Sequence, residues 1–228
     1  MLSLFPHNVQ CEIHPRRLVL RRRGQVIAEQ TLTDDIALEA ALDQLLNQHG
    51  RAIPWWGKLS FWLANSQVYY FTVPWQAGIS RPEELRSFAA TFAATQPFGQ
   101  SVSAFRTAFI SAPYGTTALV AAIDEQLWQT LLQVARKWKL RVGGIYVELH
   151  NQLRPWQRKL PADVLFCLRG AQSSIFASRR HGQWQQVWSL NNENGMDENQ
   201  HLALVARLMG MDSHIPRYFL NSNGYSKG

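Results

Sequence analysis

Arg21-Arg22-Arg23-Gly24-Gln25-Val26 and Arg179-Arg180-His181-Gly182-Gln183-Trp184 are the two stretches that decide the fold of this chain. In each of them, basic residues are followed by a glycine and a glutamine, and strand-like runs lie on both sides. Glycine readily adopts the positive φ that a tight hairpin turn needs. Each stretch therefore predicts a β-hairpin with a basic tip.

The spacing of these stretches suggests that one unit is used twice. Gly24 and Gly182 lie 158 positions apart, and the two cysteines, Cys11 and Cys167, lie 156 positions apart. We interpret the near-equal offsets as a repeated strand–hairpin–helix unit. Chance recurrence is the alternative, because short Arg-Gly-Gln strings arise easily.

The composition is that of a folded chain with a substantial core. The chain has 228 residues, of which 46% are apolar and only 17% are charged, so wholesale disorder is excluded. Both cysteines lie in strand-like runs, which favours buried thiols over a disulfide framework or a metal site and fits a reducing compartment. We expect neither a secretory signal nor a membrane span, because no apolar run approaches about 18 residues.

The charge balance indicates which partners are possible. A net charge of +7 allows nucleic acid, anionic lipid or an acidic protein segment as a partner. The basic residues are dispersed, however, and a solvated surface is the simpler explanation for most of them. Nucleic acid is an unlikely partner, because the aromatic run Tyr69-Tyr70-Phe71 has no neighbouring lysine or arginine.

The order of the predicted elements indicates an α/β fold with mixed sheets flanked by helices. Three strands are predicted within residues 9–32, and a helix follows them and ends at Gly50. We predict a first half over residues 1–155, with an inserted strand–helix subdomain at about 66–123, and a second, shorter half over 156–228. Residues 221–228 are expected to form a frayed tail.

This layout resembles the actin-like ATPase superfamily, whose two ribonuclease H-like halves face each other across a nucleotide cleft. Within it, the chain is similar to the pilus-assembly and type II secretion platform proteins, the PilM-like and GspL-like group. The resemblance covers residues 9–210. It rests on both hairpins, on Val68-Tyr69-Tyr70-Phe71-Thr72-Val73-Pro74-Trp75 before the helix Glu83 to Ala93, and on Ala121-Ala122-Ile123-Asp124 before Leu131.

The resemblance also implies phosphate loops, and this sequence departs from them. Active members of the superfamily carry an Asp-x-Gly loop in the first hairpin of each half. Here the first turn is Ile13-His14-Pro15-Arg16, in which proline removes one amide, and the second has Arg169 where an acid is needed. Gly143-Gly144 is either a remnant of an adenine-side loop or a plain turn. The chain is therefore expected to be a degenerate member that does not hydrolyse ATP, with no catalytic, cofactor-binding or metal-binding residues.

The function that the resemblance implies is that of a scaffold. Such a protein is cytoplasmic and peripheral to the inner membrane, and it binds the cytoplasmic tail of a membrane partner or an assembly ATPase of a type IV pilus or type II secretion system. An anionic membrane surface is a further possible partner. The candidate contacts are the basic hairpin tips, with solvated turn charges as the alternative interpretation; the tips comprise Arg21, Arg22, Arg23, Arg179 and Arg180.

Two other functions stay open at the level of sequence. The first is an ATP-binding actin-like ATPase whose phosphate contacts come from backbone groups. The second is a basic nucleic-acid-binding module, whose affinity would depend strongly on salt.

Overall fold

The computed structural model describes residues 8–33, 35–50, 57–79, 81–96, 104–112, 114–154, 159–170, 173–192, 198–212, 214–221 and 224–227. The chain forms two compact units. The first unit comprises Met1–Gln67 and Asp124–Glu148, and the second comprises Val68–Ile123 and Leu149–Gly228. The inserted residues thus belong to the same unit as the C-terminal part, and the division between residues 155 and 156 stays a prediction.

The first unit is built on a five-stranded mixed sheet with the order β3-β2-β1-β4-β8. The central strand β1 pairs antiparallel with β2 and parallel with β4, and β4 pairs parallel with β8. The three strands predicted within residues 9–32 are therefore confirmed. The strands are β1 (Asn8–His14), β2 (Arg17–Arg22), β3 (Gln25–Thr31), β4 (Lys58–Leu63) and β8 (Arg141–Val147).

Two helices complete the core of the first unit, α1 (Leu38–His49) and α3 (Glu125–Lys137). The helix predicted to end at Gly50 is thereby confirmed. The buried side chains of both helices recur at helical spacing and are mostly leucines. The Asp124 carboxylate caps α3 by accepting a hydrogen bond of 2.8 Å from the Gln126 N–H.

A carboxylate joins these two helices. Lys137 Nζ and Trp138 Nε1, at the end of α3, both donate to Asp43 on α1, and the indole bond is 3.0 Å long. Burial disfavours the charged form of Asp43, but the two donors more than offset it, and the pKa of Asp43 lies below its ordinary value.

The second unit contains a sheet with the equivalent order, β11-β10-β9-β12-β13. Its central strand β9 again pairs antiparallel with β10 and parallel with β12. The helix α5 (Glu198–Leu208) lies between β11 and β12 in the chain, as α1 lies between β3 and β4. The strands are β9 (Val164–Arg169), β10 (Ser173–Arg180), β11 (Gln183–Asn191), β12 (Arg217–Asn221) and β13 (Gly224–Lys227).

The two cysteines occupy equivalent positions in the two sheets. Cys11 lies opposite Leu20 and Phe61, and Cys167 lies opposite Phe176 and Phe219. Burial raises the pKa of each thiol to about 12. Both are free cysteines, as the sequence predicted, and both act as small core residues.

The fifth strands of the two sheets differ. In the first unit, β8 lies parallel to β4, whereas β13 pairs antiparallel with β12. The expectation of a frayed tail over residues 221–228 was therefore wrong for Gly224–Lys227, which pairs with β12.

The inserted part of the second unit is a three-stranded sheet of order β5-β7-β6 covered by the helix α2. Ala89 and Ala93 of α2 are fully buried in a core with Phe71 and Phe105. Thr72 Oγ1 on β5 donates a hydrogen bond of 3.2 Å to the carbonyl of Gln185 on β11. The elements are β5 (Tyr69–Val73), α2 (Pro82–Ala94), β6 (Phe105–Ser111) and β7 (Ala118–Asp124), and the short α4 (Glu148–Leu153) follows β8.

Both basic stretches form two-residue hairpin turns, as predicted. The φ angles are 52° and 81° at Arg23 and Gly24, and 50° and 76° at His181 and Gly182. Positive φ at both central residues is the type I′ turn, whose twist matches that of the flanking strands. The pairing register also shifts near the tip of each hairpin. The shift lies between Leu20 and Arg21 in the first hairpin and between Ser178 and Arg179 in the second.

Gly143 and Gly144 lie within β8, so both interpretations of this pair, a loop remnant and a turn, were wrong. Leu59 lies opposite Val142 and Ser60 lies opposite Gly144, which leaves Gly143 as the extra residue of a β-bulge. A Cβ atom at Gly143 would lie 2.5 Å from Ser60 Oγ. The pair is therefore required by close strand packing.

We expect Gly24→Ala to lower the free energy of unfolding by about 1 kcal/mol, because alanine is strained at positive φ. The substituted Cβ would meet no heavy atom within 4 Å, so strain is the main cause. Gly50→Ala is the matched control, since Gly50 has a helical φ of −62°. Urea unfolding should show no loss for this control, and an equal loss in both variants would contradict the turn assignment.

We expect Asp43→Asn to lower the free energy of unfolding by about 1 kcal/mol near neutral pH, because it removes a charge-assisted hydrogen bond. A lowered folded-state pKa gives stability that is present above the ordinary carboxyl pKa and is lost as the pH falls through the folded value. The difference between variant and parent should therefore shrink as the pH falls below the ordinary carboxyl pKa.

Urea unfolding at several pH values measures this effect. Glu84→Gln serves as the control, because Glu84 lies 3.9 Å from the exposed Arg81 and should contribute little. A difference for Asp43→Asn that stays constant with pH would exclude the ionic contribution.

Candidate functional site

The first candidate region is the turn between β1 and β2, where active actin-like proteins hold phosphate. Pro15 and Arg16 form this turn and are both exposed. Because β1, β4 and β8 run parallel, the ends of these three strands lie at the same edge of the sheet. Proline offers no N–H to an anion. This turn therefore presents one amide fewer than a phosphate loop of the same length.

The acid nearest this turn, Glu12, already has two side-chain partners within the chain. Arg21 Nε donates a hydrogen bond of 2.6 Å to Glu12 Oε1, and His14 Nε2 lies 3.5 Å from Glu12 Oε2. The hydrogen bond with His14 and then the one with Arg21 lower the pKa of Glu12, against the opposing effect of burial. Glu12 is thus an ionised carboxylate with both oxygens engaged.

A second carboxyl group, Glu148, follows β8 at the same edge. Burial raises its pKa, the charge of His14 lowers it, and the charge of Glu12 raises it further. The opposite shifts of Glu12 and Glu148 show that this edge supports one negative charge more readily than two.

The second candidate region is the turn between β9 and β10. The Gly170 N–H donates to the Ser173 carbonyl at 2.9 Å, and Asn192 Nδ2 donates to the Gly170 carbonyl at 2.8 Å. Ser174 Oγ lies 2.6 Å from Asn192 Oδ1. The Gly170 amide is therefore engaged within the turn, and the exposed Arg169 beside it carries a charge that repels a metal cation.

At the tip of the first hairpin, Arg21 has partners within the hairpin itself. Besides Glu12, it binds the Gly24 carbonyl through Nη1 at 3.3 Å. Arg22 is half-buried and Arg23 is exposed at the turn. The three guanidinium groups outnumber the nearby acid, so this tip is locally positive.

At the tip of the second hairpin, Arg179 closes the base of the turn. Its Nη1 donates to the carbonyls of Leu160 and Pro161 at 3.0 and 2.8 Å, and its Nη2 donates to the Gly182 carbonyl at 2.7 Å. Its Cζ lies 5.7 Å from the centre of the Trp184 ring, which is 2% exposed. Burial lowers the pKa of Arg179, and its contacts are structural.

Arg180 is also held by the chain. Its Nη2 donates to the Gly210 carbonyl at 2.6 Å and lies 3.8 Å from Asp212 Oδ2. The tip arginines therefore differ between the two hairpins. Arg179 and Arg180 donate hydrogen bonds to backbone carbonyls of neighbouring loops, whereas the Arg23 side chain is exposed.

A cavity of about 480 Å³ lies beside the second tip. The His181 N–H donates to Asp163 Oδ1 at 2.8 Å on its wall. Its charged lining groups are of both signs, and its other walls are mostly apolar. It is lined by Pro161, Ala162, Asp163, Arg180, His181, Asp212, His214, Ile215 and Pro216.

Sequence reasoning missed the groups that hold these regions together. Glu12 was predicted only as part of the first strand, and Asn192 was assigned no role. The alternation of β1 placed Glu12 on the same face as His14, which was the available signal. The carbonyl partners of Arg179 and Arg180 carry no sequence signal at all, because every residue has a carbonyl.

Within the part of the chain that the structure describes, no three His, Cys, Asp or Glu side chains are placed to hold a metal ion together. None of the described helices has both the length and the apolar character needed to cross a bilayer.

The chain matches no protein-family model, and no curated protein is similar to it in sequence. Its fold does match solved structures. A Bacteroides thetaiotaomicron protein with an actin-like ATPase fold and unknown function matches with a TM-score of 0.58 and 10% identity, over 90% of this chain and 78% of that one.

Two further structures come from membrane-associated assemblies. The cytoplasmic domain of EpsL, an inner membrane component of the type II secretion system of Vibrio cholerae, matches with a TM-score of 0.54 and 14% identity, over 96% of this chain and 87% of that one. A chain of the PilM–PilN type IV pilus biogenesis complex matches with a TM-score of 0.50 and 17% identity, over 90% of this chain and 66% of that one.

The predicted fold class is confirmed: the chain has the actin-like ATPase fold, with mixed sheets flanked by helices, and its fold resembles those of the EpsL cytoplasmic domain and of PilM.

Proposed function

We propose that this chain is a non-catalytic scaffold at the cytoplasmic face of an inner-membrane assembly platform of the type II secretion or type IV pilus class. It would bind the cytoplasmic tail of a membrane partner or an assembly ATPase. The likeness of its fold to both the EpsL cytoplasmic domain and the PilM–PilN complex supports this class of function.

The observation that carries the non-catalytic part is the state of the first turn. Pro15 withholds an amide, and the acid of this hairpin, Glu12, forms an ion pair with Arg21 and a hydrogen bond with His14. A nucleotide-binding turn needs free amides for the phosphates and a free carboxylate for the hydrated magnesium ion. This turn would have to break its own ion pairs to meet either need.

The second turn supports the same proposal from the other half. Arg169 places a cation where the metal would lie, and the Gly170 amide already binds the Ser173 carbonyl. A scaffold needs neither a phosphate-binding amide nor a metal-binding acid at this turn.

We expect isothermal titration with Mg-ATP to give no binding at micromolar nucleotide, because Pro15 lacks an amide in the first turn and the Gly170 amide beside Arg169 is already bound in the second. The positive control for the assay is an ATP-hydrolysing protein of the same fold. A micromolar dissociation constant for Mg-ATP, about −8 kcal/mol, would contradict the proposal and favour the ATPase alternative.

We expect the tagged chain, cross-linked in its native host, to retain a single-span inner-membrane protein or an assembly ATPase of a secretion or pilus system. Mass spectrometry identifies the partner, and titration of the purified chain with the cytoplasmic tail of that partner measures the affinity. The same tag on an unrelated basic protein of similar charge is the control.

Recovery of nucleic acid alone, with an affinity that falls steeply as salt rises, would instead support the nucleic-acid-binding alternative. Recovery of soluble metabolic proteins without any membrane component would contradict the platform assignment.

The five tip arginines stay a prediction as partner contacts. Arg21, Arg179 and Arg180 already have internal partners, so their replacement is expected to loosen the hairpins as well as any interface. The Arg23 side chain is exposed at the turn, and Arg23→Ala therefore tests this tip for partner binding.

A further inference from the structure

The equivalent outer strands of the two five-stranded sheets have different neighbours. β3 and β11 are the outer strands of their sheets, and each follows a type I′ turn and contains a bulge with one extra residue, Ile27 in β3 and Gln185 in β11. Beside β11 lies β5, whose Thr72 hydroxyl donates to the Gln185 carbonyl at 3.2 Å. Among the described residues, no strand pairs with the outer edge of β3.

The residues of the two edges can be matched through their turns. With the offset of 158 between Gly24 and Gly182, Ile27 corresponds to Gln185 and Val26 corresponds to Trp184. Val26 directly follows Gln25, and Trp184 directly follows Gln183; these two glutamines close the turns. Trp184 is 2% exposed, whereas Val26 is 49% exposed.

The backbone at Val26 faces outward. Arg22 and Gln25 close the two-residue turn and exchange both hydrogen bonds, so the next residue directs its N–H and C=O away from β2. β3 contains no proline and no lysine, which are common devices against edge pairing. Its bulge does not prevent an approach, since the bulged β11 is met by β5.

We propose that the outer edge of β3 binds an extended segment of another protein by strand addition. The segment would run beside Gln25–Thr31, over about 20 Å, with apolar side chains near Val26 and Ile27. The inference concerns where a segment adds to the sheet, and it does not require the partner to be a secretion or pilus protein.

Charge defines the chemistry of this segment. Arg23 is exposed at one end of β3, and Arg16 and Arg17 are exposed at the other. Glu29 is the only acid on the strand, and Arg17 already pairs with it at 3.2 Å. The segment that fits is therefore apolar in its middle and acidic at its ends. A second copy of the chain fits poorly, because each copy carries a net charge of +7 and the same bulged edge.

A displayed library of short random peptides, selected on the full chain, tests this inference. We expect the enriched peptides to be apolar in the middle and acidic at the ends. Hydrogen exchange with a synthetic copy of one such peptide should slow the amides of Gln25–Thr31. Its affinity should fall as salt rises.

Val26→Glu is the diagnostic variant and should weaken the peptide at least about tenfold, which is about 1.4 kcal/mol. Val142→Glu is the matched control, since Val142 is 36% exposed on the opposite edge strand of the same sheet. It should leave the affinity unchanged. Circular dichroism and thermal unfolding verify that both variants are folded.

Several outcomes would overturn the inference: no enriched peptide, slowed exchange only at other elements, or equal affinity for Val26→Glu and the parent. If the parent chain forms a dimer and Val26→Glu dissociates it, the occupant of the edge is a second copy of the chain, and the inference is also overturned. If the Val26→Glu variant recovers platform proteins from the host and the peptide tests fail, the proposed function stands and this inference fails. If the peptide result holds and no platform protein is recovered, the reverse is true.

Discussion

The whole structure depends on the burial of a central strand in each five-stranded sheet. β1 and β9 each have an antiparallel neighbour on one side and a parallel neighbour on the other, so their backbone groups are satisfied within the sheet. Their apolar side chains are almost fully buried, and each strand has a cysteine at the matching position. A small, apolar thiol fills this position in both halves, and its high pKa keeps it uncharged there.

This arrangement explains why the hairpins could be predicted from sequence. A two-residue turn requires positive φ, and the glycines at 24 and 182 mark it directly, so hairpin position and strand pairing follow from local chemistry. The amphipathic spacing of the leucines in α1 similarly indicated a core helix. The fold class then followed from the order of the elements.

The errors came from features that local sequence does not encode. Gly143-Gly144 has the composition of a turn, but the pair is needed because Ser60 lies where a Cβ atom would be. Gly224–Lys227 is too short and polar to be recognised as a strand, and it becomes one only through its pairing with β12. The partners of Arg179 and Arg180 are carbonyls from distant loops, so sequence suggested exposed tips where one tip is internally bound.

The different fifth strands have a consequence for how the protein is made. β13 follows β12 directly, so the second sheet ends with a contact between neighbours in the chain. The first sheet ends with β8, which pairs with β4 across an intervening stretch of more than 70 residues. During synthesis, the edge of β4 therefore lacks its β8 partner until the whole intervening stretch and β8 have been made.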